Sequence, residues 1–281
     1  MPMVDPAILR NFSVSASRYD AHARVQRRSA RDLLAFTLGS LPSPHPRDLP
    51  DATKGGGGPF RILEPGCGTG IYTRMLLDAF PDASVIGVDV SEPMVRIARR
   101  RIADARVRFA VADAEEIAGG AYDLVTSNAT FQWFLHLPRT LGRMAFLLRN
   151  GGVLTFSFFG PETYGELDAA LRASAKTRRP GEGERAAAAA FHTRDEIAGA
   201  LSASFPSWEI SERRYHEEFP SLIDLLRSIR YTGTRGAGSP GRWSPGRLAR
   251  VEEAYRGRHG AIRATYQVFL CRGSVPAGGG G

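Results

Sequence analysis

The segment Glu64-Pro65-Gly66-Cys67-Gly68-Thr69-Gly70 carries the strongest signal for chemistry, and it lies between a short apolar run and a helical pattern. Glycine at alternate positions lets the backbone turn tightly and approach a ligand closely. The helix that begins near Gly70 directs its free amide groups at the same ligand. A dinucleotide-binding loop has the spacing G-x-G-x-x-G, whereas here the spacing is G-x-G-x-G after an acidic residue. That carboxylate suits a cationic group and would repel a pyrophosphate.

Three further polar residues stand where predicted strands end. Asp89 follows Glu64 by 25 residues, close to the spacing at which an acidic residue accepts hydrogen bonds from ribose hydroxyls. Asp113 ends the next strand, where an acceptor can receive the exocyclic amine of an adenine, and Asn128 ends the strand after it. The carboxyl ends of parallel strands converge on one crevice. The sequence therefore predicts a single pocket lined by these residues and the glycine loop.

The elements that position these residues are apolar runs of strand length that alternate with helical patterns. The predicted strands of this part are 60–64, 83–91, 105–113, 121–129 and 151–160, and the helices among them are 69–80, 91–102 and 137–149. The remainder contains helices 161–176, 193–204, 220–233 and 245–257 and strands 207–219 and 264–273. Continuous apolar strands separated by helices indicate a parallel sheet covered on both faces. We predict an α/β fold with a Rossmann-like, seven-stranded, mostly parallel sheet, an N-terminal helical flap and a helical insertion before the last strand.

Composition excludes a wholly disordered chain, a fibrous repeat and a disulfide scaffold. Of the 281 residues, 43% are hydrophobic and 23% are charged, which is ordinary globular usage. The net charge of +8 comes mainly from 35 arginines and is shared evenly, +4 in residues 1–160 and +4 in residues 161–281. The chain therefore has no basic tail of the kind that would indicate a nucleic-acid partner. Two cysteines, the lack of a long apolar run and the lack of a secretory signal predict a cytoplasmic protein. Six histidines without metal-ligand spacing predict no metal site.

With the glycine loop and the strand-end residues in this order, residues 60–160 resemble a class I S-adenosylmethionine-dependent methyltransferase. The resemblance implies that the methionine part of S-adenosylmethionine lies on the glycine loop, that Asp89 holds the ribose, and that Asp113 contacts the adenine edge. The residues that it assigns to the cofactor are Glu64, Gly66, Cys67, Gly68, Gly70, Asp89, Val90, Met94, Asp113, Ala114 and Asn128.

Five segments extend the resemblance to the malonyl-acyl-carrier-protein O-methyltransferases of biotin synthesis. They are FSVSASRYDAHARVQRRSARDLL, SNATFQWFLHLPRTL, FSFFGPETYGEL, FPSLIDLLRSIRYTGT and ATYQVFLC. This resemblance implies an enzyme that methyl-esterifies the free carboxylate of a malonyl thioester, an early step of biotin synthesis. A carboxylate is already ionised at pH 7, so the reaction requires no general base. The implied partner is a small, strongly acidic acyl carrier protein, which suits a basic protein; we expect a monomer with neither a nucleic acid nor a membrane partner.

These observations divide the chain into five expected segments. They are an N-terminal helical flap (1–38), a flexible linker with proline and four consecutive glycines (39–59), the S-adenosylmethionine-binding core (60–160), the C-terminal half of the sheet with acceptor and lid helices (161–272), and a disordered tail (273–281).

The acceptor side has several candidate residues, and no catalytic residue is assigned. Candidates for the substrate pocket are Tyr19, Gln26, Trp133 and Tyr164. A guanidinium is the best geometric match for a carboxylate, so Arg230 and Arg179 join Tyr19 as candidates for positioning the acceptor.

Alternative functions remain open at this stage. The chain could be a methyltransferase for another small carboxylic acid or a polyketide-type acceptor, or a non-catalytic accessory protein that binds S-adenosylmethionine. The sequence does not decide whether the malonyl group is carried on a protein or on coenzyme A. A nucleic-acid methyltransferase would have an Asn/Asp-Pro-Pro-Tyr/Phe motif after the fourth strand, where this chain has SNATF.

Overall fold

One sheet organises the molecule, and the computed structural model describes residues 5–41, 59–174, 186–233 and 243–277. Within those residues the strands are β1 (Arg61–Pro65), β2 (Ser84–Asp89), β3 (Val107–Val111), β4 (Tyr122–Asn128), β5 (Leu148–Phe159), β6 (Ser207–Phe219) and β7 (Ile262–Ser274). Their order across the sheet is β3-β2-β1-β4-β5-β7-β6. Only β7 runs antiparallel to its neighbours, β5 and β6. The prediction of a Rossmann-like, seven-stranded, mostly parallel sheet is confirmed.

Helices cover both faces of this sheet. In the described residues they are α1 (Pro6–His22), α2 (Arg24–Ser40), α3 (Ile71–Ala79), α4 (Glu92–Arg101), α5 (Leu137–Leu147), α6 (Gly165–Ser174), α7 (Arg194–Ser204), α8 (Leu222–Tyr231) and α9 (Pro245–His259). Neighbouring residues of one strand belong to different apolar clusters, because successive side chains point to opposite faces. Ile62 packs into one buried cluster and Leu63 into the other.

The N-terminal helical flap expected over residues 1–38 consists of two helices, α1 and α2. The break lies at Ala23, whose φ of −80° and ψ of 44° depart from helical geometry. Helix α2 packs against the sheet, because Thr37 and Ser29 hydrogen-bond to Thr155 and Ser157 of β5 at 2.7 and 3.1 Å. Helix α1 contacts α4 and α8. The break therefore lets α2 cover the sheet while α1 takes a different direction.

Two segments of the C-terminal half differ from the predicted bounds. Helix α6 begins at Gly165 and not at residue 161, because the chain stays hydrogen-bonded to β7 after β5 ends: the amide of Tyr164 donates to the carbonyl of Thr265 at 2.8 Å. The predicted tail, 273–281, begins inside β7, and the amide of Gly151 donates to the carbonyl of Pro276 at 2.9 Å. No helix in the described part of the chain is long and apolar enough to cross a membrane.

Candidate functional site

The glycine loop after β1 needs glycine for two different reasons. Gly66 and Gly68 both have positive φ angles, +71° and +53°, in the region that favours glycine. A Cβ at Gly66 would lie 2.1 Å from the hydroxyl oxygen of Thr130, whereas a Cβ at Gly68 would meet no atom within 4 Å. Gly66 thus permits close packing within the protein. Gly68 leaves open space on the side of the loop that faces a cavity.

Asp89 fixes the shape of this loop from the end of β2. One carboxylate oxygen accepts a hydrogen bond from the amide of Gly68 at 2.9 Å, and the other accepts from the amide of Ser91 at 2.8 Å. Burial raises the pKa of Asp89, and these two amide hydrogen bonds act in the opposite direction. Asp89 also lines the cavity. The same carboxylate can therefore hold the loop and meet a ligand.

Glu64 lies behind the loop and outside the cavity lining. Its carboxylate is buried and accepts a hydrogen bond from the hydroxyl of Thr73 at 2.5 Å. Burial raises the pKa of Glu64 to about 8, and the nearby Asp89 carboxylate adds to the rise. Two other loop residues assigned to the cofactor, Cys67 and Gly70, are likewise absent from the cavity lining. These three residues shape the loop from its protein side.

The cavity lies at the carboxyl ends of the parallel strands, and about 680 Å³ of empty space lies within it and its open mouth. It is lined by Ile8, Phe12, Tyr19, Gly66, Gly68, Val88, Asp89, Val90, Met94, Ala112, Asp113, Ala114, Asn128, Ala129, Thr130, Trp133 and Phe134. The structure thus brings together eight of the residues that the resemblance assigned to the cofactor and two of the substrate-pocket candidates.

Asn128 ends β4, and its side-chain amide is held on both sides. Its oxygen accepts a hydrogen bond from the hydroxyl of Ser157 at 2.8 Å, and its nitrogen donates to the backbone carbonyl of Gln26 at 3.1 Å. Gln26 is a buried residue of α2 that does not line the cavity. Its contribution to the site is a backbone contact that orients Asn128.

Helix α1 forms one wall of the cavity and is tied to the glycine loop. Tyr19 lines the cavity, and the next residue, Asp20, accepts a hydrogen bond from the hydroxyl of Thr69 at 2.7 Å. Arg101 forms an ion pair with Asp20 and also donates to the backbone carbonyl of Thr69 at 2.8 Å. The sequence-based assignment of the site did not include Asp20. The only signal for it was its place beside Tyr19 in a segment that resembled the family.

Aromatic side chains from different elements meet on this wall. The ring of Phe12 packs edge-on against Trp133, with centroids 5.8 Å apart, and lies 6.4 Å from the ring of Tyr19. Burial raises the pKa of Tyr19 far above its ordinary value, and the carboxylates of Asp20 and Asp89 reinforce the rise. Tyr19 is therefore a neutral phenol at physiological pH, able to donate a hydrogen bond.

The remaining acceptor candidates lie outside the cavity. Tyr164 is buried in the core, where its ring packs edge-on against Tyr266 with centroids 5.0 Å apart. Arg230 is exposed on α8, and its backbone carbonyl accepts a hydrogen bond from Ser15 at 3.1 Å. Arg179 lies outside the described residues. Among the described residues that line the cavity, none is arginine, lysine or histidine, and no group of metal-binding side chains occurs in the described ranges.

Comparisons with known proteins place this chain in a family. A sequence profile described as a methyltransferase domain matches residues 62–152. The malonyl-[acyl-carrier protein] O-methyltransferase of Acetivibrio thermocellus is 32% identical over 280 residues, covering 95% of this chain and 93% of that protein. The protein of the same name from Geobacter sulfurreducens is 34% identical over 278 residues, covering 95% and 97%. The chain belongs to the malonyl-[acyl-carrier protein] O-methyltransferase family.

A solved structure supports the fold of this methyltransferase. The YcgJ protein from Bacillus subtilis has a TM-score of 0.54 at 17% identity, over 78% of this chain and 93% of that protein. The resemblance inferred from the sequence is confirmed. The enzyme class and the dependence on S-adenosylmethionine follow from membership of the family.

Proposed function

We propose that this methyltransferase transfers a methyl group from S-adenosylmethionine to the free carboxylate of a malonyl group carried on acyl carrier protein, an early step of biotin synthesis. The observation that carries the proposal is one cavity in which the glycine loop and strand-end acids meet an aromatic wall from the N-terminal flap. The relatives that cover 95% of the chain are named for the same reaction.

The polar lining fits the cofactor that the family uses. Open space beside Gly68 admits a ligand against the loop backbone, and Asp89 presents a carboxylate that suits ribose hydroxyls. Asp113 caps a short turn by accepting from the amide of Glu115 at 2.9 Å, which fixes the position of Ala114 in the cavity wall. These residues would hold the adenosine part. S-Adenosylmethionine, when bound, supplies an electrophilic methyl group.

The aromatic wall supplies what a carboxylate acceptor needs. Phe12, Trp133 and Phe134 line the cavity with apolar surface, which excludes water that would solvate and weaken the nucleophile. The neutral hydroxyl of Tyr19 can donate a hydrogen bond to one carboxylate oxygen and leave the other free to react. Catalysis then consists of positioning the acceptor in line with the methyl group, and no side chain has to remove a proton.

The proposal includes the setting of the reaction. The partner is acyl carrier protein carrying malonyl, the enzyme acts as a monomer in the cytoplasm, and neither nucleic acid nor a membrane takes part. The product is a neutral ester at the end of the acyl chain. Removal of the charge suits later passage through enzymes that bury apolar chains.

A parallel assay tests the choice of acceptor. Initial rates are measured with malonyl-acyl carrier protein, malonyl-coenzyme A and a free dicarboxylic acid at equal concentrations, using methyl-labelled S-adenosylmethionine. We expect the highest kcat/KM with malonyl-acyl carrier protein. Transfer to neither malonyl thioester would rule out the proposal, and preferential transfer to the free acid would favour the alternative of another small-acid methyltransferase.

A further inference from the structure

Arginine side chains from three helices lie near enough to His22 for their charges to act on its ring. The cluster, here called the His22 patch, consists of Arg18 of α1, His22 at the end of α1, Arg24 of α2 and Arg227 of α8. The pKa of His22 is lowered first by burial and then by the positive charges of the three arginines. Three guanidinium groups, two close in sequence and one from α8, therefore act on one ring.

Packing holds this patch in place. The ring of His22 lies against Tyr231 of α8, with centroids 4.9 Å apart, and the guanidinium of Arg18 stacks over the same tyrosine ring at 5.2 Å. Arg18 also donates a hydrogen bond to the hydroxyl of Tyr231. Tyr231 thus holds His22 and Arg18 together at the contact between α1 and α8.

The arginines of the patch keep donors directed to solvent. Arg24 pairs with Glu217 at 3.3 Å and Arg227 pairs with Asp224 at 2.7 Å, yet the two arginine side chains are 73% and 50% exposed. A guanidinium carries five N–H donors. One ion pair therefore leaves several donors on each arginine for an anionic partner.

Two observations place the helices that carry the patch beside the cavity. Arg18 directly precedes Tyr19, which lines the cavity. At the end of α8, Gly233 lies so close to the cavity residue Phe12 that a Cβ there would come within 2.3 Å of the ring. A partner bound on α1 and α8 would therefore lie next to the aromatic wall.

We propose that the His22 patch is the docking surface for the acidic carrier protein, which delivers its malonyl group into the adjacent cavity. The proposal rests on the proposed function, since it takes acyl carrier protein as the occupant. Opposite charges on two surfaces increase the rate of encounter and set the orientation of the complex. The even charge distribution along the sequence did not predict the patch, because Arg227 joins Arg18 and Arg24 only in the folded chain.

The test compares two acceptors and two variants. The double variant Arg18→Gln/Arg227→Gln is assayed with malonyl-acyl carrier protein and with malonyl-pantetheine, which carries the same reacting group without the acidic protein. We expect kcat/KM for the carrier protein to fall about tenfold or more, mainly through KM, with a weaker dependence on salt. The rate with malonyl-pantetheine should stay unchanged.

The control is Arg108→Gln. Arg108 is exposed in β3, at the opposite edge of the sheet from β6, where Glu217 pairs with Arg24. We expect this control to match the wild type with both acceptors. S-Adenosylmethionine affinity, measured by calorimetry, verifies that each variant is folded, and the single variant Arg227→Glu provides a second test if the double variant is unstable.

Three results separate the two proposals. An unchanged KM for the carrier protein in the double variant would overturn the docking surface, as would equal losses with carrier protein and pantetheine. If the wild type methylates neither acceptor, the proposed function fails. Direct titration of acyl carrier protein against wild type and double variant then still tests the patch, which predicts weaker binding to the variant.

Discussion

The hydroxyl of Thr69, in the glycine loop, donates a hydrogen bond to the carboxylate of Asp20, in helix α1, over 2.7 Å. Arg101 joins them by pairing with Asp20 and donating to the backbone carbonyl of Thr69. The helix that supplies part of the aromatic wall is thereby connected to the loop that fits the cofactor. Cofactor binding and closure of the flap should accordingly be coupled.

This connection predicts a coupling energy between Asp20 and Thr69. Asp20→Ala, which removes the acceptor, and Thr69→Val, which removes the donor, should each weaken S-adenosylmethionine binding, because either change loosens α1 over the cavity. The double variant should lose less S-adenosylmethionine binding free energy than the two single variants lose together. The difference, the coupling energy, should be about 0.5–3 kcal/mol, as is usual for residues in contact. Calorimetric dissociation constants for the four proteins give this energy. Strictly additive losses would show that the hydrogen bond does not couple flap and loop.

Asp89→Ala should abolish detectable cofactor binding. The change removes the acceptor for the amides of Gly68 and Ser91 together with a carboxylate in the cavity. Asp89→Asn keeps one side-chain acceptor and should retain weak binding. Calorimetric titration with S-adenosylmethionine measures both. An unchanged affinity in Asp89→Ala would exclude this carboxylate from the cofactor site.

Two glycine substitutions should separate folding from binding. Gly66→Ala places a Cβ against Thr130 at a positive φ, and should lower the free energy of unfolding by about 2–4 kcal/mol. Gly68→Ala meets no protein atom, so it should cost only about 1–2 kcal/mol for its backbone conformation while reducing cofactor affinity more severely. Urea unfolding measures the stability of each variant, and calorimetry measures its affinity for S-adenosylmethionine. If the two variants lost the same stability and the same affinity, the different roles assigned to Gly66 and Gly68 would be contradicted.

Stability should depend on pH through Glu64. Its pKa rises from an ordinary value of 4.5 in the unfolded chain to about 8 in the folded protein. The folded state therefore binds the proton more tightly, so the contribution of Glu64 to stability is complete below pH 4.5 and is lost as the pH rises through about 8. Urea unfolding of wild type and Glu64→Gln across this range measures the difference. We expect the wild type to lose stability relative to Glu64→Gln with rising pH; parallel curves would show that Glu64 titrates normally.

Tyr19→Phe should impair the acceptor step and spare the cofactor. The substitution keeps the aromatic ring beside Phe12 and removes only the hydroxyl that we propose as a donor to the acceptor carboxylate. Loss of a hydrogen bond to a charged group corresponds to a fall in kcat/KM of about tenfold to hundredfold. Steady-state kinetics with the malonyl substrate, alongside S-adenosylmethionine affinity, test this. A variant with normal kinetics would leave Tyr19 as a packing residue only.

The cofactor side of the cavity could be predicted from local sequence. Asp89, Asp113 and Asn128 stand at strand ends, and parallel strands bring their carboxyl ends to one edge of the sheet. Their meeting in the cavity follows from the alternation of strands and helices alone. The confirmed prediction of a seven-stranded, mostly parallel sheet has the same origin.

The positions of the acceptor-side candidates depend on contacts between residues that are far apart in the sequence, and no local sequence pattern specifies those contacts. Tyr164 turns into the core because its amide is bound by β7, a strand that begins about a hundred residues later. Gln26 is buried because α2 lies flat on β5, after a break at Ala23 that carries neither proline nor glycine. Arg230 was a candidate because a guanidinium matches a carboxylate, but it lies on the exposed side of α8. Helix propensity and apolar spacing do not specify these contacts.

Mass analysis of the acyl group tests the central claim most directly. Purified enzyme is incubated with S-adenosylmethionine and malonyl-acyl carrier protein, and the acyl arm is examined for one added methyl group, which fragmentation then locates on the malonyl carboxylate. Asp89→Ala serves as the control in which the cofactor site is disrupted. We predict a methyl ester on the malonyl carboxylate with the wild type and unmodified malonyl with the control. Unmodified malonyl with the wild type, under conditions where S-adenosylmethionine binds, would contradict the proposed function.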